Sequence, residues 1–201
     1  MTQETRDKPE RRDQILEAAL EVFSRRGVFA TRIADIAAEA GVAYGLVYHY
    51  FRNKEEILHT IFEVGWAELQ GRLEAAEGRA GGARQRFLAV AEAFLDAYRR
   101  RPRVVELFML EFSGTSRYPE APQLGPISKA LSVVTRILER GRADGDIRAD
   151  LDVDLLTLIF IGSLQLLVQA QVLGVYTLPD DFKENGAVKI VDAFFDGVGA
   201  K

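Results

Sequence analysis

The chain has 201 residues, of which 48% are hydrophobic, so it can bury one compact core and a smaller appended one. It contains no cysteine, which excludes a disulfide scaffold, a thiolate zinc site and a cysteine nucleophile. The net charge of -4 excludes the bulk basicity of a nonspecific nucleic-acid binder, although residues 6–54 carry a small positive excess.

The first twelve residues are highly charged and lack the apolar stretch that a secretory signal needs. We therefore expect a cytoplasmic protein in which residues 1–12 form a flexible arm. Basic residues of this arm could reach phosphates, but a charged run at a chain end is more often a solvated tail.

Two helices with a glycine at the end of each are predicted next. The first covers residues 13–26, and Gly27 ends it because glycine adopts a left-handed turn position at little cost. The second ends at Gly41, after which Val42 drops into the core. Its apolar residues recur at three- and four-residue spacing and are Ile33, Ile36, Ala37 and Ala40.

A further helix is predicted to start near Ala43. Val47, Tyr50 and Phe51 would face inward along it. The opposite side carries an exposed stripe formed by Tyr44, Gly45, Tyr48 and His49. Two short helices joined by a glycine turn are typical of a helix-turn-helix, whose second helix enters the major groove. Sequence-specific binding to double-stranded DNA is therefore the leading interpretation.

The run from Thr31 to Leu58 resembles the DNA-binding domain of the TetR family of bacterial transcriptional regulators. The matching residues are Ile36-Ala37, Ala40-Gly41-Val42, Gly45, Tyr48, Tyr50-Phe51 and Asn53-Lys54-Glu55-Glu56. The resemblance implies that DNA is contacted by Thr31, Arg32, Ala43, Tyr44, Gly45, Tyr48, His49 and Lys54. It places Tyr48 on a phosphate, His49 against a base edge or phosphate, and Tyr44 where family members vary with operator sequence. A cation at Lys54, beside backbone N–H groups, would clamp a phosphate.

Three residues depart from the family pattern. Arg32 stands where a small hydroxyl residue usually caps the second helix, so Thr31 is a displaced cap, Arg32 contacts a phosphate, or both hold. Ala43 replaces a serine or threonine cap, which removes one capping or phosphate bond. Leu46 replaces a common threonine and either packs on a thymine methyl or turns into the core.

The rest of the chain is predicted to be helical. Helices are expected from residue 53, over 83–101, from 102, over 127–142, over 152–173 and from 179, with an irregular connection around Pro119, Pro122 and Pro126. No segment alternates with period two, so the predicted fold class is all-α. We expect a three-helix DNA-binding head with the helix-turn-helix at residues 13–53 and a larger ligand-binding and dimerisation body at residues 54–201.

The apolar segment at residues 155–168 is too short to cross about 30 Å of hydrocarbon, so we expect a buried helix and no membrane association. It is apolar on more than one face, which exceeds what one core absorbs and predicts a homodimer. The expected dimer interface consists of Leu164, Leu167, Val168, Val191, Phe194 and Phe195.

The resemblance assigns ligand binding to the body. The residues that could line one cavity are Phe62, Trp66, Phe94, Tyr98, Phe108, Phe112 and Gln165, although aromatic residues at helical spacing are more often simple core. Gln165 needs a partner, which a ligand, a buried water or the twofold-related chain could supply. Residues 40–58 also resemble the fatty-acyl-CoA-responsive branch. We therefore expect a small apolar, acyl-type effector to release a repressor dimer from a palindromic operator.

Enzymatic function is not expected. His49 and His59 are the two histidines, and their spacing does not suit a shared metal ion. The sequence contains no carboxylate cluster, glycine-rich phosphate loop or nucleophile motif, so we predict no catalytic residue, no metal site and no cofactor. The alternative is a helical ligand-binding or protein-interaction module without operator binding, and retardation of a palindromic upstream DNA fragment distinguishes the two.

Overall fold

The computed structural model describes residues 3–113, 124–177 and 179–198. These residues form nine helices and contain no β-strand, which confirms the all-α prediction. The helices are α1 (Gln3–Ala30), α2 (Ile33–Ala40), α3 (Tyr44–Tyr50), α4 (Lys54–Glu77), α5 (Ala83–Arg100), α6 (Pro102–Ser113), α7 (Leu124–Ala143), α8 (Val153–Val172) and α9 (Asp180–Val198).

The first helix begins at Gln3 rather than at residue 13, so the segment expected to be a flexible arm is helical where the structure describes it. Glu, Arg, Lys and Gln lose little side-chain freedom in a helix, and extending an existing helix avoids the cost of nucleation. The predicted interruption at Gly27 is present, because this residue has a φ of 75° and a ψ of 156° inside α1.

The seventh helix also begins earlier than expected. It starts at Leu124 and includes Pro126, which the sequence analysis placed in an irregular connection. Proline is tolerated in the first turn of a helix because the N–H that it lacks has no partner there. The expected irregular positions Pro119 and Pro122 lie outside the described residues.

The chain divides into two compact units. The first unit contains the chain up to Gly65 and the segment that begins at Arg101, so it holds α1 to α3, the first half of α4, and α6. Its core is built where α1 packs on α2 and α6 and where α2 packs on α3. The fully buried side chains at its centre include Ile15, Phe23, Ile36, Val47 and Ile57.

The second unit runs from Trp66 to Arg100 and resumes after the first unit's α6 segment. Here α5 packs on α7, α8 and α9. Phe87 is fully buried at the centre, with its ring 4.5 Å from that of Phe160 and 5.2 Å from that of Phe194. These aromatic contacts fix α8 and α9 against α5.

The eighth helix is longer than the apolar segment that predicted it. It has 20 residues and a mean hydropathy of 1.8, which is enough by length and composition to span a membrane, so the expectation that it is too short is wrong. Only 33% of its most apolar window is buried in the protomer, which agrees with the expectation that this helix has more apolar surface than one core absorbs. An apolar face of α8 therefore remains uncovered in the single chain.

Candidate nucleic-acid interface

The turn between α2 and α3 has the geometry that the sequence predicts. Gly41 has a φ of 64° and a ψ of 32°, a left-handed conformation that favours glycine. The amide of Val42 donates to the carbonyl of Ala37 at 3.0 Å and closes the end of α2. Ala43 begins α3 without a side-chain capping bond, as expected from the missing hydroxyl. The two helices therefore form a helix-turn-helix.

One side of α3 is anchored and the other is exposed. Val47 and the following Phe51 are buried, and Leu46 is half-buried, so it packs partly on the first unit. The predicted exposed stripe is present as Tyr44, Gly45, Tyr48 and His49. The buried side fixes the rotation of α3 and thereby determines which residues it offers to a partner.

Tyr44 and Tyr48 interact with each other on the exposed side of α3. Their hydroxyl oxygens are 3.2 Å apart, and their rings meet edge to face with centroids 5.2 Å apart. The hydrogen bond with Tyr44 raises the pKa of Tyr48 above its usual value, so the Tyr48 phenol keeps its proton at neutral pH. Both rings remain about half exposed, at 53% for Tyr44 and 47% for Tyr48.

Gly45 and His49 occupy the same exposed side. A Cβ atom added to Gly45 would meet no atom within 4 Å, so packing inside the protein does not require glycine at this position. Glycine inside a helix costs about 0.5 to 1 kcal/mol relative to alanine. The space left beside the backbone suits close approach by a partner molecule. The ring of His49 lies edge to face against Tyr50, at 5.2 Å between centroids.

Thr31 and Arg32 divide their roles at the start of α2. Thr31 is buried, and its hydroxyl donates to the carbonyl of Gly27 at 2.8 Å, so it is neither the displaced cap nor an exposed DNA contact. Arg32 holds the N-cap position, and the carboxylate of Asp35, three residues later, accepts from the backbone N–H of Arg32 at 2.9 Å. The guanidinium of Arg32 is exposed and remains available for a phosphate.

Lys54 is bound to the protein itself. Its ammonium donates to three backbone carbonyls, at 2.8 Å to Val28, 2.9 Å to Phe29 and 3.0 Å to Thr31. The same nitrogen lies 5.9 Å from the centre of the Phe29 ring. An ammonium has three protons, and all three have acceptors here. The geometry therefore assigns Lys54 to fastening the connection between α1 and α2, in place of the predicted phosphate clamp.

Two arginines of the first unit are also paired with carboxylates. Arg25 forms an ion pair with Glu39, and Arg26 forms one with Asp35 at 3.1 Å. These pairs join α1 to α2 and leave less positive charge for DNA than the sequence count indicates.

Arg52 is a residue that the sequence analysis missed. It lies two residues after the end of α3, is exposed, and has no side-chain partner among the described residues. Helical spacing could not have found it, because Phe51 has an extended backbone, with φ of -139° and ψ of 135°, and Arg52 therefore lies outside the helical repeat of α3. Arg32 and Arg52 are therefore exposed cations of the first unit without a side-chain partner among the described residues.

Comparison with known proteins identifies this arrangement. Residues 15–61 match the model of bacterial regulatory proteins of the tetR family, and residues 84–185 match the tetracyclin repressor-like C-terminal domain. The chain belongs to the tetR family. It is a ligand-responsive transcriptional repressor that binds operator DNA as a homodimer.

The relatives of this repressor include regulators of lipid metabolism. The transcriptional repressor KstR2 of Mycolicibacterium smegmatis is 32% identical over 146 residues, which is 72% of this chain and 71% of the relative. The fatty acid metabolism regulator protein of Bacillus subtilis is 28% identical over 152 residues, covering 75% of this chain and 78% of the relative. FadR from Bacillus subtilis, solved with stearoyl-CoA, superposes with a TM-score of 0.78 at 25% identity and covers 92% of this chain and 97% of that one.

The residues predicted to line one ligand cavity are divided between the two units. In the first unit, the rings of Phe62 and Phe108 meet edge to face at 5.4 Å. The side chain of Phe112 lies outside the described residues. In the second unit, Trp66 lies on α4 and is half-buried.

Two further predicted ligand residues lie on α5, and one lies on α8. Phe94 and Tyr98 are half-buried on α5. Gln165 is exposed, so the expectation that it lines an interior cavity is wrong. An amide at an exposed position can be hydrated by solvent, so Gln165 no longer requires a buried partner.

The second unit has a groove of about 370 Å³ between α4 and α5 that contains none of the predicted ligand residues. It is lined by Arg72, Ala75, Ala76, Arg79, Ala89, Ala93 and Asp96. Its arginines are already paired, since Arg72 contacts Glu68 at 3.1 Å and Arg79 contacts Glu92 at 3.7 Å. The groove is therefore lined by small alanine side chains and by arginines that are already paired, which gives an effector few groups to bind.

The predicted dimer residues lie deeper than expected. Leu164, Val168 and Val191 are buried in the protomer's own core, so the expectation that they face a partner is wrong. Leu167, Phe194 and Phe195 are half-buried. A helix that is apolar all round gives no indication of which side faces inward, so the sequence could not fix the rotation of α8. The exposed apolar residues of α8 are instead Leu155, Leu158, Ile159 and Leu166.

Proposed function

We propose that this repressor contacts its operator through the exposed side of α3, with Tyr44, Gly45 and His49 in the major groove and Tyr48 on the phosphate backbone. The observation that supports this most is the exposure of all four residues opposite a buried Val47. The first residues of a recognition helix contact base edges, which suits Tyr44 and Gly45. Tyr48 comes one turn later, where a helix leaves the groove and meets the phosphate backbone.

Arg32 and Arg52 are proposed as phosphate contacts beside this surface. Each phosphate neutralised by a cation contributes about 0.9 to the slope of log affinity against log salt concentration. Because the dimer has two copies of each arginine, Arg32→Ala and Arg52→Ala should each lower that slope by about 1.8. Fluorescence anisotropy with labelled operator at several salt concentrations measures the slope.

The control for the arginine variants is Arg140→Ala, which removes an exposed arginine from α7 in the second unit. Its salt slope should equal that of the unchanged protein. An unchanged slope in Arg52→Ala as well would contradict the assignment of Arg52 to a phosphate.

We propose an acyl thioester of coenzyme A as the effector. The proposal is supported by the similarity to the fatty acid metabolism regulator of Bacillus subtilis and to FadR, which was solved with stearoyl-CoA. Half-buried aromatic residues such as Trp66, Phe94 and Tyr98 suit the apolar part of such a molecule. The relatives are bacterial regulators, and we infer a cytoplasmic location in which the protein can reach both DNA and coenzyme A thioesters.

Trp66 offers a direct measurement of effector binding because it is the one tryptophan in the chain. We expect stearoyl-CoA to change its emission and to weaken operator binding at least about tenfold, which corresponds to about 1.4 kcal/mol of coupling. Trp66 and Lys54, which fastens the α1–α2 connection, both lie on α4, so this helix is the element through which effector binding would act on the DNA-binding residues.

Free coenzyme A and stearate are the controls for this experiment. Neither should reproduce the full change in emission and operator affinity, because each lacks half of the proposed effector. Coenzyme A alone acting as strongly as stearoyl-CoA would contradict an acyl-type effector. Stearoyl-CoA that changed the emission but left operator affinity unchanged would contradict simple release.

A further inference from the structure

The tyrosine pair on α3 limits which hydrogen bonds each hydroxyl can make. A phenol has one proton to donate and lone pairs with which to accept. At 3.2 Å between oxygens, either Tyr44 donates to Tyr48 or Tyr48 donates to Tyr44. The edge-to-face contact of the rings holds the two side chains together on one side of the helix. A partner that accepts a hydrogen bond from one hydroxyl therefore determines which tyrosine donates in the hydrogen bond between them.

DNA sets the direction of this hydrogen bond if Tyr48 contacts a phosphate. The inference rests on that part of the proposed function. Phosphate oxygens only accept hydrogen bonds, so Tyr48 must give its proton to the phosphate. The bond within the pair then persists only when Tyr44 donates to the oxygen of Tyr48. Tyr44 has no proton left, and its oxygen can only accept a hydrogen bond from the major groove.

We propose that Tyr44 recognises an amino group in the operator, the N6 of an adenine or the N4 of a cytosine, and that Tyr48 imposes this preference. In the major groove these two amino groups are the donors, whereas guanine and thymine present acceptors. When the Tyr44 proton is already donated to Tyr48, the Tyr44 oxygen can only accept. It would then face guanine O6 or N7, or thymine O4, as one acceptor against another. Tyr44 is thus the residue that determines specificity, and Tyr48 is a positioning residue that acts through it.

When DNA binds, the two tyrosines could keep their hydrogen bond with Tyr44 as the donor, or their rings could separate. Two features of the pair favour the first outcome. The proton-bearing state is secure at neutral pH, because hydrogen bonding to Tyr44 holds the pKa of Tyr48 above its ordinary value. The backbone below the pair is also fixed, since the amide of Phe51 donates to the carbonyl of Val47 at 3.0 Å and Val47 is fully buried. The pair is therefore organised before DNA arrives, and forming the contact orders few new groups.

The experiment uses the full-length dimer and an operator whose base pairs are replaced one at a time. At one position in each half-site, the unchanged protein should prefer adenine or cytosine on the contacted strand by about threefold to tenfold, the range of one hydrogen bond. Replacing the preferred adenine by purine, or the preferred cytosine by pyrimidin-2-one, deletes only the amino group. That deletion should cost the unchanged protein the same factor.

Three variants separate the roles of the two hydroxyls. Tyr44→Phe should lose the preference and be indifferent to deletion of the amino group. Tyr48→Phe should bind all operators about threefold to tenfold more weakly, because a phosphate bond is lost. It should also accept guanine or thymine at the same position, because the Tyr44 proton is released for donation. Tyr176→Phe removes an exposed tyrosine hydroxyl from the second unit and should behave as the unchanged protein.

Failure of the inference is distinct from failure of the proposed function. Tyr48→Phe that weakens binding but keeps the unchanged preference overturns the control of Tyr44 by Tyr48, and leaves the α3 surface as the DNA contact. A preference for guanine or thymine in the unchanged protein, lost in Tyr44→Phe, also overturns only the inference. Unchanged binding in both single variants overturns the proposed DNA surface itself. Thermal unfolding should be similar for all variants, because both tyrosines are exposed.

Discussion

Replacement of Leu166 by glutamate should convert the repressor into a monomer and lower its operator affinity by roughly a thousandfold or more. Leu166 is 65% exposed on α8, in line with the other exposed apolar residues Leu155, Leu158 and Ile159. We infer that the second chain of the homodimer covers this face. A carboxylate placed in that contact would lose its hydration without gaining a partner, which is costly for association. The protomer itself should fold, because Leu166 does not belong to its core.

The loss in operator affinity follows from the loss of one tethered half-site. In a dimer, the second DNA-binding unit meets its half-site at a high effective concentration once the first is bound. A monomer has no such advantage. Light scattering should report the mass of one chain, and anisotropy with labelled operator should report the loss in affinity.

Leu166→Met is the matched variant for this experiment. Methionine keeps the volume and apolar character of the side chain, so the dimer and its operator affinity should remain. A dimer in Leu166→Glu at micromolar concentration would place the interface on another face. Half-buried Leu167 would then be the next residue to substitute.

Lys54→Met should lower the free energy of unfolding by about 2 to 4 kcal/mol, because it removes three charge-assisted hydrogen bonds to backbone carbonyls. The three acceptors lie on Val28, Phe29 and Thr31, so the loss falls on the connection between α1 and α2. Methionine keeps the aliphatic stem and removes the ammonium. Chemical denaturation measures the change.

The same variant separates a structural from a DNA-binding role. If Lys54 fastens the α1–α2 connection, the folded Lys54→Met protein should keep its salt slope for operator binding. If Lys54 clamps a phosphate, the slope should fall by about 1.8 per dimer while stability changes little. Lys129→Met, on α7 of the second unit, removes an exposed lysine and should change neither quantity.

The features predicted correctly from the sequence are those that depend on neighbouring residues. Gly27 and Gly41 could be recognised as helix ends because the need for a positive φ is a local property of the chain. The exposed side of α3 followed from helical spacing in the same way. The helical extension to Gln3 was missed because the segment is charged on every side and has no apolar periodicity to reveal it.

The role of Lys54 could not be predicted, because its acceptors lie 23 to 26 residues earlier in the chain and meet it only after folding. Ion pairing of Arg25 with Glu39 was missed for the same reason. The rotation of α8 was not encoded in its own residues, since apolar residues lie on both its buried and its exposed sides. Burial of Leu164 and exposure of Leu166 are decided by what packs against the helix.

The separation of the two sides of α3 has an evolutionary consequence. The outer residues Tyr44, Gly45 and His49 support no core contact, so they can mutate with little loss of folding free energy. Val47 and Phe51, on the inner side, hold the helix in place and tolerate little change. After gene duplication, a copy of this repressor could therefore acquire a new operator by substitutions on one side of a single short helix, while its fold, its dimer and its effector response are inherited unchanged.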